Sequence, residues 1–399
     1  MRILYLADIR FPLERANGIQ TMETCYGLGV RGHEVILRVR RDSHRPERDP
    51  FHFYGLPPLP ALTIERSWTP GAATCRRGLY LACAAAGLIR HRPDVVLTRD
   101  LGVAALLLRL PCRRRPPIVY ESHGFSPTVS AELPTLLSGA PAASPRKLVR
   151  LDHRERFVWM RADGYVTITA LLLDELTRRF GPRSAAVVPD GVRLPADASA
   201  EQRPAHDAPV VGYAGHLYPW KGVETLLDAL VLVPRVRGLI VGGHPGETDL
   251  PRLRQRADAL GLADRVTFAG LVPPRDVHAW LTSADILVLP NTAATLSRHY
   301  SSPLKLFEYM AAGRPIVASD LPSFREILSA EEAVFVQPGS ASALAEGLTR
   351  LLGDPAMACR MAGAAKDRAK EYSWDRRAER LESTLVAAAR RHADRSAAE

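Results

Sequence analysis

VGYAGHLYPWKGVETLL, residues Val211–Leu227, contains one complete strand-to-helix transition. Val210–Ala214 is an apolar run of strand length. Gly215 interrupts it, a short polar loop follows, and Lys221-Gly222 opens an amphipathic helical stretch to Leu232. Strand, glycine turn and helix make half of a βαβ unit. The rhythm continues downstream. Gly238–Val241, Arg265–Ala269, Asp285–Leu289 and Pro315–Ala318 are strand candidates with helices between them. Upstream it recurs in Arg2–Ala7, His33–Val39, Asp94–Thr98, Pro117–Glu121, Gly164–Ile168 and Ala185–Val188. Gly18–Gly29, Leu101–Leu110 and Ala170–Phe180 are the clearest helices among these. Strands alternating with helices predict parallel sheets covered on both faces.

Two stretches break the rhythm and are expected to be irregular surface excursions: 41–70, rich in proline, arginine and histidine, and 125–147, rich in proline, serine and alanine. A third, PADASAEQRPAHDAP (195–209), has three prolines and no apolar period, and predicts a linker. At 399 residues the chain is too long for one ordinary core. The expected organisation is a first α/β domain over 1–195, a second over 209–372, and a closing helix and tail over 373–399 that pack back across both. The fold class is α/β, two doubly wound Rossmann-like domains facing a cleft. Ligands of such sheets bind at the carboxyl ends of the strands.

Charge divides at the same place. Residues 1–195 hold 29 lysines and arginines against 18 acids, a balance of +11, and the remainder carries −1. A basic half implies an anionic partner. No zinc finger, helix-turn-helix or RNA-binding aromatic motif accompanies the charge, so nucleic acid is not expected. Arg76, Arg77, Arg90 and Arg92 bracket Leu79–Ile89, and Arg109 and Arg113–Arg115 follow Val103–Leu108. Such a pairing suits an anionic membrane surface, and equally suits core helices with a solvated rim. No apolar run is long enough to span a bilayer, and the first residues read as a buried strand rather than a secretory leader. Five scattered cysteines form no CxxC pair and are expected as reduced thiols in the cytoplasm.

Only five residues are lysine, so each is informative. Lys305 and Glu308 share the helix predicted within SSPLKLFEYMAAGRPIVASD (Ser301–Asp320). The start of that helix offers unpaired backbone N–H groups and a positive dipole end, which favour an anion. Glu308, one turn on, can accept two hydroxyl hydrogen bonds from a ribose. The plain alternative is a Lys–Glu surface pair. Lys221 at its own helix start can reach a phosphate, with His216 as a second donor. The plain alternative is a lysine exposed at a turn. No Asp-x-Asp cluster is present, so no metal is expected. A dinucleotide-dependent dehydrogenase is disfavoured because no GxGxxG follows Arg2–Ala7.

In order, the second half carries G-x-L-x-x-x-K-G from Gly215, V-G-G at 241–243, V-x-F-x-G-x-V at 266–272, A-D-I-x-V-L-P at 284–290 and K-L-F-E-Y-M-A-x-G-x-P-I-V-A-S to Ser319. This resembles the donor-binding domain of retaining GT-B glycosyltransferases, glycosyltransferase family four. The first half resembles the family more loosely, through Gly18, His123, Ala162-Asp163 and V-P-D-G-V at 188–192, and Tyr372-Ser373-Trp374 resembles its closing-helix start. The resemblance implies transfer of a sugar, with retention, from a UDP- or GDP-linked donor and with no other cofactor.

By that resemblance Glu308 holds the ribose. Lys221, His216 and the backbone of Ser301, Ser302 and Leu304 hold the diphosphate, helped by Lys305. Gly215 belongs to the same loop, and Val272 flanks the base. Gly18 allows close backbone approach, and His123 contacts the donor sugar or its phosphate. Glu121 is either a polar contact beside it or the end of its strand. Catalytic roles fall on His123, Lys221 and Glu308. Retention would follow from front-face attack, with the leaving phosphate oxygen taking the acceptor proton. Two positions depart from the family pattern: His216 stands where an arginine is common, and Tyr300 where a first glutamate is common. The acceptor is expected to be anionic or lipid-linked, met by peripheral contact at the inner membrane face. A nucleotide-sugar epimerase and a non-catalytic anion binder remain the competing classes.

Overall fold

The computed structural model describes residues 1–44, 46–137, 140–195, 207–244, 248–300 and 302–398. The chain divides into two units. The first comprises 1–131, 143–190 and the closing helix from Trp374; the second comprises 132–142 and 191–373. Most of the expected linker, 195–209, lies outside the described residues.

The first unit is built on seven strands: β1 (Arg2–Arg10), β2 (Glu34–Arg40), β3 (Leu62–Ser67), β4 (Val95–Thr98), β5 (Ile118–Ser122), β6 (Gly164–Thr167) and β7 (Ala186–Val187). They pair in the order β3-β2-β1-β4-β5-β6-β7, and every pairing is parallel. The second unit has six: β8 (Val210–Ala214), β9 (Arg237–Val241), β10 (Val266–Gly270), β11 (Ile286–Leu289), β12 (Ile316–Ser319) and β13 (Ala333–Val336), ordered β10-β9-β8-β11-β12-β13 and again parallel. Each is a doubly wound sheet. Strand order reverses between β1 and β4 in one and between β8 and β11 in the other. Loops leaving those strands splay apart and open a crevice at the carboxyl edge.

The central strands read as continuous apolar runs because both faces are covered. In β1 the residues Ile3–Leu6 are wholly buried, as are Val95–Leu97 in β4. Side-chain caps set several helix starts: Asp100 accepts from Val103 N (2.9 Å) and Thr169 from Leu172 N (3.2 Å).

Two stretches expected to be irregular contain regular elements. Within 41–70 lie a short helix, Pro50–Tyr54, and the edge strand β3. Its alternating polar residues (LTIERS) suit an edge strand rather than a doubly covered one. Within 125–147 lies the helix Ser126–Leu136, which carries Pro134 inside it. Helix Leu101–Leu107 buries Leu101, Val103, Ala104, Ala105 and Leu107 and is a core element. No helix among the described residues is long and apolar enough to cross a membrane.

The closing helix, Trp374–Ala398, returns to the first unit. Leu381, Leu385 and Ala388 are fully buried in the core that holds β1, β2 and β5. Gly164 is what permits this approach. A Cβ there would stand 3.0 Å from Ala388 Cβ and 2.9 Å from Val119. Farther along, His392 and Cys112 meet at 3.4 Å beside the buried Asp163, whose carboxylate already holds Arg115 at 2.5 Å. A guanidinium occupies the place a cation would take, so this group ties the helix end to the unit.

Candidate active site

In the second unit the chemistry gathers where β8 ends. Gly215 N donates to Val241 O (2.8 Å) and Gly242 N to Gly270 O (2.7 Å), so the ends of β8, β9 and β10 are knitted together. Gly242 has φ 130° and sits so close that a Cβ would fall 1.9 Å from Gly215 O. Only glycine fits there.

Helix Leu304–Ala311 is docked on this edge by two of its own side chains. Tyr309 Oη accepts from Ala214 N (2.7 Å), and Lys305 Nζ donates to Tyr213 Oη (3.1 Å) while lying 4.2 Å from the centre of that ring. Tyr213 Oη in turn donates to His216 O (2.5 Å). Helix, strand end and loop are therefore one connected structure. Lys305 is buried, and its Cδ would be 3.5 Å from a Cβ on Gly215.

Lys221 ends a single helical turn before the helix Val223–Leu232, its Nζ 3.6 Å from the centre of the Trp220 ring. Gly222 follows at φ 75°, where a Cβ would strike Pro290 O at the end of β11. Burial pushes the Lys221 ammonium down to about 7. Burial also pushes Lys305 well below the usual lysine range; Lys221 adds to that and Glu308 opposes it. Two ammonium groups thus crowd one strand edge, and each is costly to keep charged without an anion. Glu308 is half-buried one turn along from Lys305, and His216 stacks on Tyr218 with ring centres 4.9 Å apart. Ser302 and Leu304 are buried at the helix start, and Val272, just past β10, packs half-buried against the unit's core. Ser301 lies outside the described residues.

In the first unit, Glu121 at the end of β5 is fully buried. Its Oε1 accepts from three donors: Arg377 Nη2 (2.6 Å), Gln20 Nε2 (2.7 Å) and His123 Nε2 (2.7 Å). Gln20 Oε1 accepts from Arg99 (2.7 Å). Arg377, brought by the closing helix and 2% exposed, also donates to the carbonyls of Val188 and Pro189, both at 2.7 Å. Arg377 and the imidazole hold Glu121 far below the usual carboxylate range despite its burial. His123 is driven down to about 4 by burial and by Arg99, against the pull of Glu121. A neutral ring that donates from Nε2 presents Nδ1 as an acceptor. Asp190, buried nearby, is raised to about 6 by burial.

Gly18 is buried in the first turn of helix Ala16–Val30. A Cβ there would fall 2.2 Å from Leu13 O and 2.5 Å from Tyr54 Oη, so packing within the unit already requires glycine.

Residues 208–354 match the family model described as glycosyl transferases group 1, and residues 18–194 match glycosyltransferase family 4. Glycogen synthase of Mycobacterium tuberculosis strain H37Rv is 30% identical over 339 residues, 81% of this chain and 76% of that protein. The chain belongs to glycosyltransferase family 4. As a member of family 4 it is a retaining glycosyltransferase that uses a nucleotide-sugar donor. D-inositol 3-phosphate glycosyltransferase of Xylanimonas cellulosilytica is 28% identical, with 69% of this chain and 67% of that protein aligned. Phosphatidyl-myo-inositol mannosyltransferase of Mycobacterium leprae is 32% identical over 52% of this chain and 56% of that protein. These alignments span between 56% and 76% of the relatives' lengths. The fold is also that of sucrose-phosphate synthase from Thermosynechococcus elongatus (TM-score 0.77, 19% identity, covering 96% of this chain and 98% of that one). Anabaena HepE in complex with UDP-glucose is similar too (TM-score 0.71, 18% identity, 97% and 99%).

The family 4 motifs thus fall on structure as follows. Gly215, His216, Lys221, Lys305 and Glu308 lie in the second unit, with Lys221 close enough to Lys305 to act on its charge. His123 and Gly18 lie in the first. Arg377 and Gln20 were not among the residues singled out from sequence. Their only sequence signal is polarity beside apolar helix positions, as in Arg377 next to Ala378 and Leu381.

Proposed function

We propose that the second unit binds the diphosphate and nucleoside of a UDP- or GDP-linked sugar. The observation that carries this is the pair Lys221, half-buried, and Lys305, buried, two ammonium groups whose charge is unfavourable until an anion arrives. His216 and the backbone of Ser301, Ser302 and Leu304 complete the diphosphate contacts, with Gly215 allowing close approach. Glu308 takes the ribose hydroxyls and Val272 flanks the base. Fixed cations and helix-terminal amides stabilise charge developing on the leaving diphosphate without reorganising, which is how such groups accelerate transfer. His123, neutral and held by Glu121, accepts a hydrogen bond from a donor-sugar hydroxyl, and Gly18 keeps the backbone close. Front-face attack, with the leaving phosphate oxygen taking the acceptor proton, gives retention. No metal enters this scheme.

The acceptor is anionic, phosphate-bearing or lipid-linked, in keeping with the +11 balance of the first 195 residues. The five free thiols fit a cytoplasmic setting. A panel of nucleotide sugars tests the donor assignment by protection against thermal unfolding. The cognate donor at 100 times its dissociation constant stabilises by about 2.7 kcal/mol. Protection by no UDP- or GDP-linked sugar contradicts it.

A further inference from the structure

The solvent face of helix Pro145–Arg161 has no role in the donor chemistry, yet its composition is unusual. The helix turns Glu155, Val158 and Trp159 inward. On the opposite face Val149 and Met160 stand 57% and 62% exposed. Eleven residues separate them, close to three helical turns, so they share one line along the helix. Arg146, Arg150, His153 and Arg156 surround that line. The helix carries six basic residues, and of its two acids Glu155 is buried.

Beside this face lies a groove of about 720 Å³ lined by Arg109, Arg146, Val149, Arg150, Arg154 and Phe157 among others. No acidic side chain lines it. Its floor is apolar, and Arg109 lies over the Phe157 ring at 5.1 Å. The arginines crowd one another: Arg150, Arg109 and Arg77 all add to the burial that lowers Arg154. Asp100, paired with Arg77, opposes them from behind the groove, but the lining itself is cationic around an apolar floor, which complements an anionic group attached to an apolar body.

We propose that this face docks on an anionic phospholipid surface. Headgroup phosphates sit against Arg146, Arg150 and Arg154, and Val149 and Met160 enter the boundary between headgroups and acyl chains. The two exposed apolar side chains are aliphatic, which favours lipid over a nucleic acid, whose bases stack on aromatic rings. The arginine-bracketed stretches Leu79–Ile89 and Val103–Leu108, whose pattern suits a core role as well as a membrane surface, are not needed. The second of these is core, and the surface lies on Pro145–Arg161 instead. Docking here is independent of which sugar the donor unit holds.

The test is sedimentation of the full chain with phosphatidylcholine vesicles, with and without phosphatidylglycerol, at low and physiological salt. Wild type is expected to bind only the anionic vesicles, and more weakly as salt rises. Arg146→Gln, Arg150→Gln and Arg154→Gln combined should weaken binding by at least about thirtyfold, since each charge near the surface contributes separately. Val149→Ser with Met160→Ser should weaken it at both salt concentrations. Arg235→Gln, Arg237→Gln and Arg350→Gln, removing the same charge from the second unit, should leave it within about threefold of wild type. Circular dichroism and donor hydrolysis without acceptor should be unchanged in all variants, which separates this proposal from the donor assignment. Equal loss in the two triple variants would overturn the proposal. So would equal binding to neutral vesicles, or displacement from anionic vesicles by duplex DNA at matched charge.

Discussion

Arg377 donates to Glu121 at 2.6 Å across 256 residues of sequence, both side chains fully enclosed. The pair links the closing helix to the end of β5, and the same Glu121 oxygen holds His123. Breaking a buried pair leaves the other charge uncompensated, at a cost of about 3–5 kcal/mol. Arg377→Met should therefore lower the stability of the first unit by that order in denaturant unfolding. Arg377→Lys should lose less. Stability within 1 kcal/mol of wild type for Arg377→Met would mean that the pair contributes little.

Glu121 also fixes which ring nitrogen of His123 carries the proton. Nitrogen NMR of labelled histidine should show His123 protonated at Nε2 in wild type. Glu121→Ala removes that acceptor and should leave a tautomer mixture, with a fall in turnover larger than any rise in KM. An unchanged tautomer with reduced turnover would assign Glu121 a different role.

The depressed His123 gives a pH dependence with a definite sign. Its ring titrates near 4 in the fold and near 6.5 when exposed. The unfolded chain then binds more protons in that window, so this group's contribution is full above 6.5 and is lost as pH falls toward 4. Glu155 and Asp190, raised to about 7 and about 6 by burial, act in the opposite sense. The effect is therefore read as the difference between wild type and His123→Gln. That difference should narrow steadily between pH 6.5 and 4. A flat difference contradicts an imidazole held neutral by the fold.

Lys221 predicts proton uptake. Empty, it titrates near 7; beside a diphosphate it returns toward the usual value near 10.5. Between these values the free form is largely neutral and the bound form charged. Affinity for a nucleoside diphosphate should then fall as pH rises above 7, by up to tenfold per unit. Calorimetry in buffers of different ionisation enthalpy at pH 8 should show uptake approaching one proton, and Lys221→Met should abolish most of it.

Two glycines separate backbone strain from steric exclusion. Gly222 and Gly261 have similar positive φ values, 75° and 68°. A Cβ on Gly261 meets nothing within 4 Å, whereas on Gly222 it collides with Pro290 O. Gly261→Ala should cost about 1–2 kcal/mol from conformation alone. Gly222→Ala should cost clearly more and weaken donor binding, because it displaces the loop carrying Lys221. Equal costs would show that the loop yields without difficulty.

What sequence revealed and what it hid follow from the same physics. Buried parallel strands are short apolar runs, so β1, β8 and β11 are plain in ILYL, VVGYA and ILVL. The edge strand β3 has only two apolar residues, Leu62 and Ile64, among polar ones inside a proline-rich stretch, and reads as loop. Helix Ser126–Leu136 hides behind Pro134. Lys221 and Lys305 stand out because lysine is rare in this chain and both sit at helix starts. Glu121 with Arg377 was invisible, because nothing local tells a strand-end glutamate that its partner lies on the last helix.

The donor assignment rests on a division of labour: Lys221 on the diphosphate and Glu308 on the ribose. Calorimetric titration with UDP, GDP and inorganic pyrophosphate, on wild type, Lys221→Ala and Glu308→Ala, separates the two roles. Lys221→Ala should weaken both the preferred nucleotide and pyrophosphate. Glu308→Ala should weaken the nucleotide by about 10- to 150-fold, the loss of a charge-assisted hydrogen bond of roughly 1.5–3 kcal/mol, and leave pyrophosphate unchanged. Wild-type affinity for the nucleotide in both variants, or an equal loss of pyrophosphate in Glu308→Ala, would contradict it.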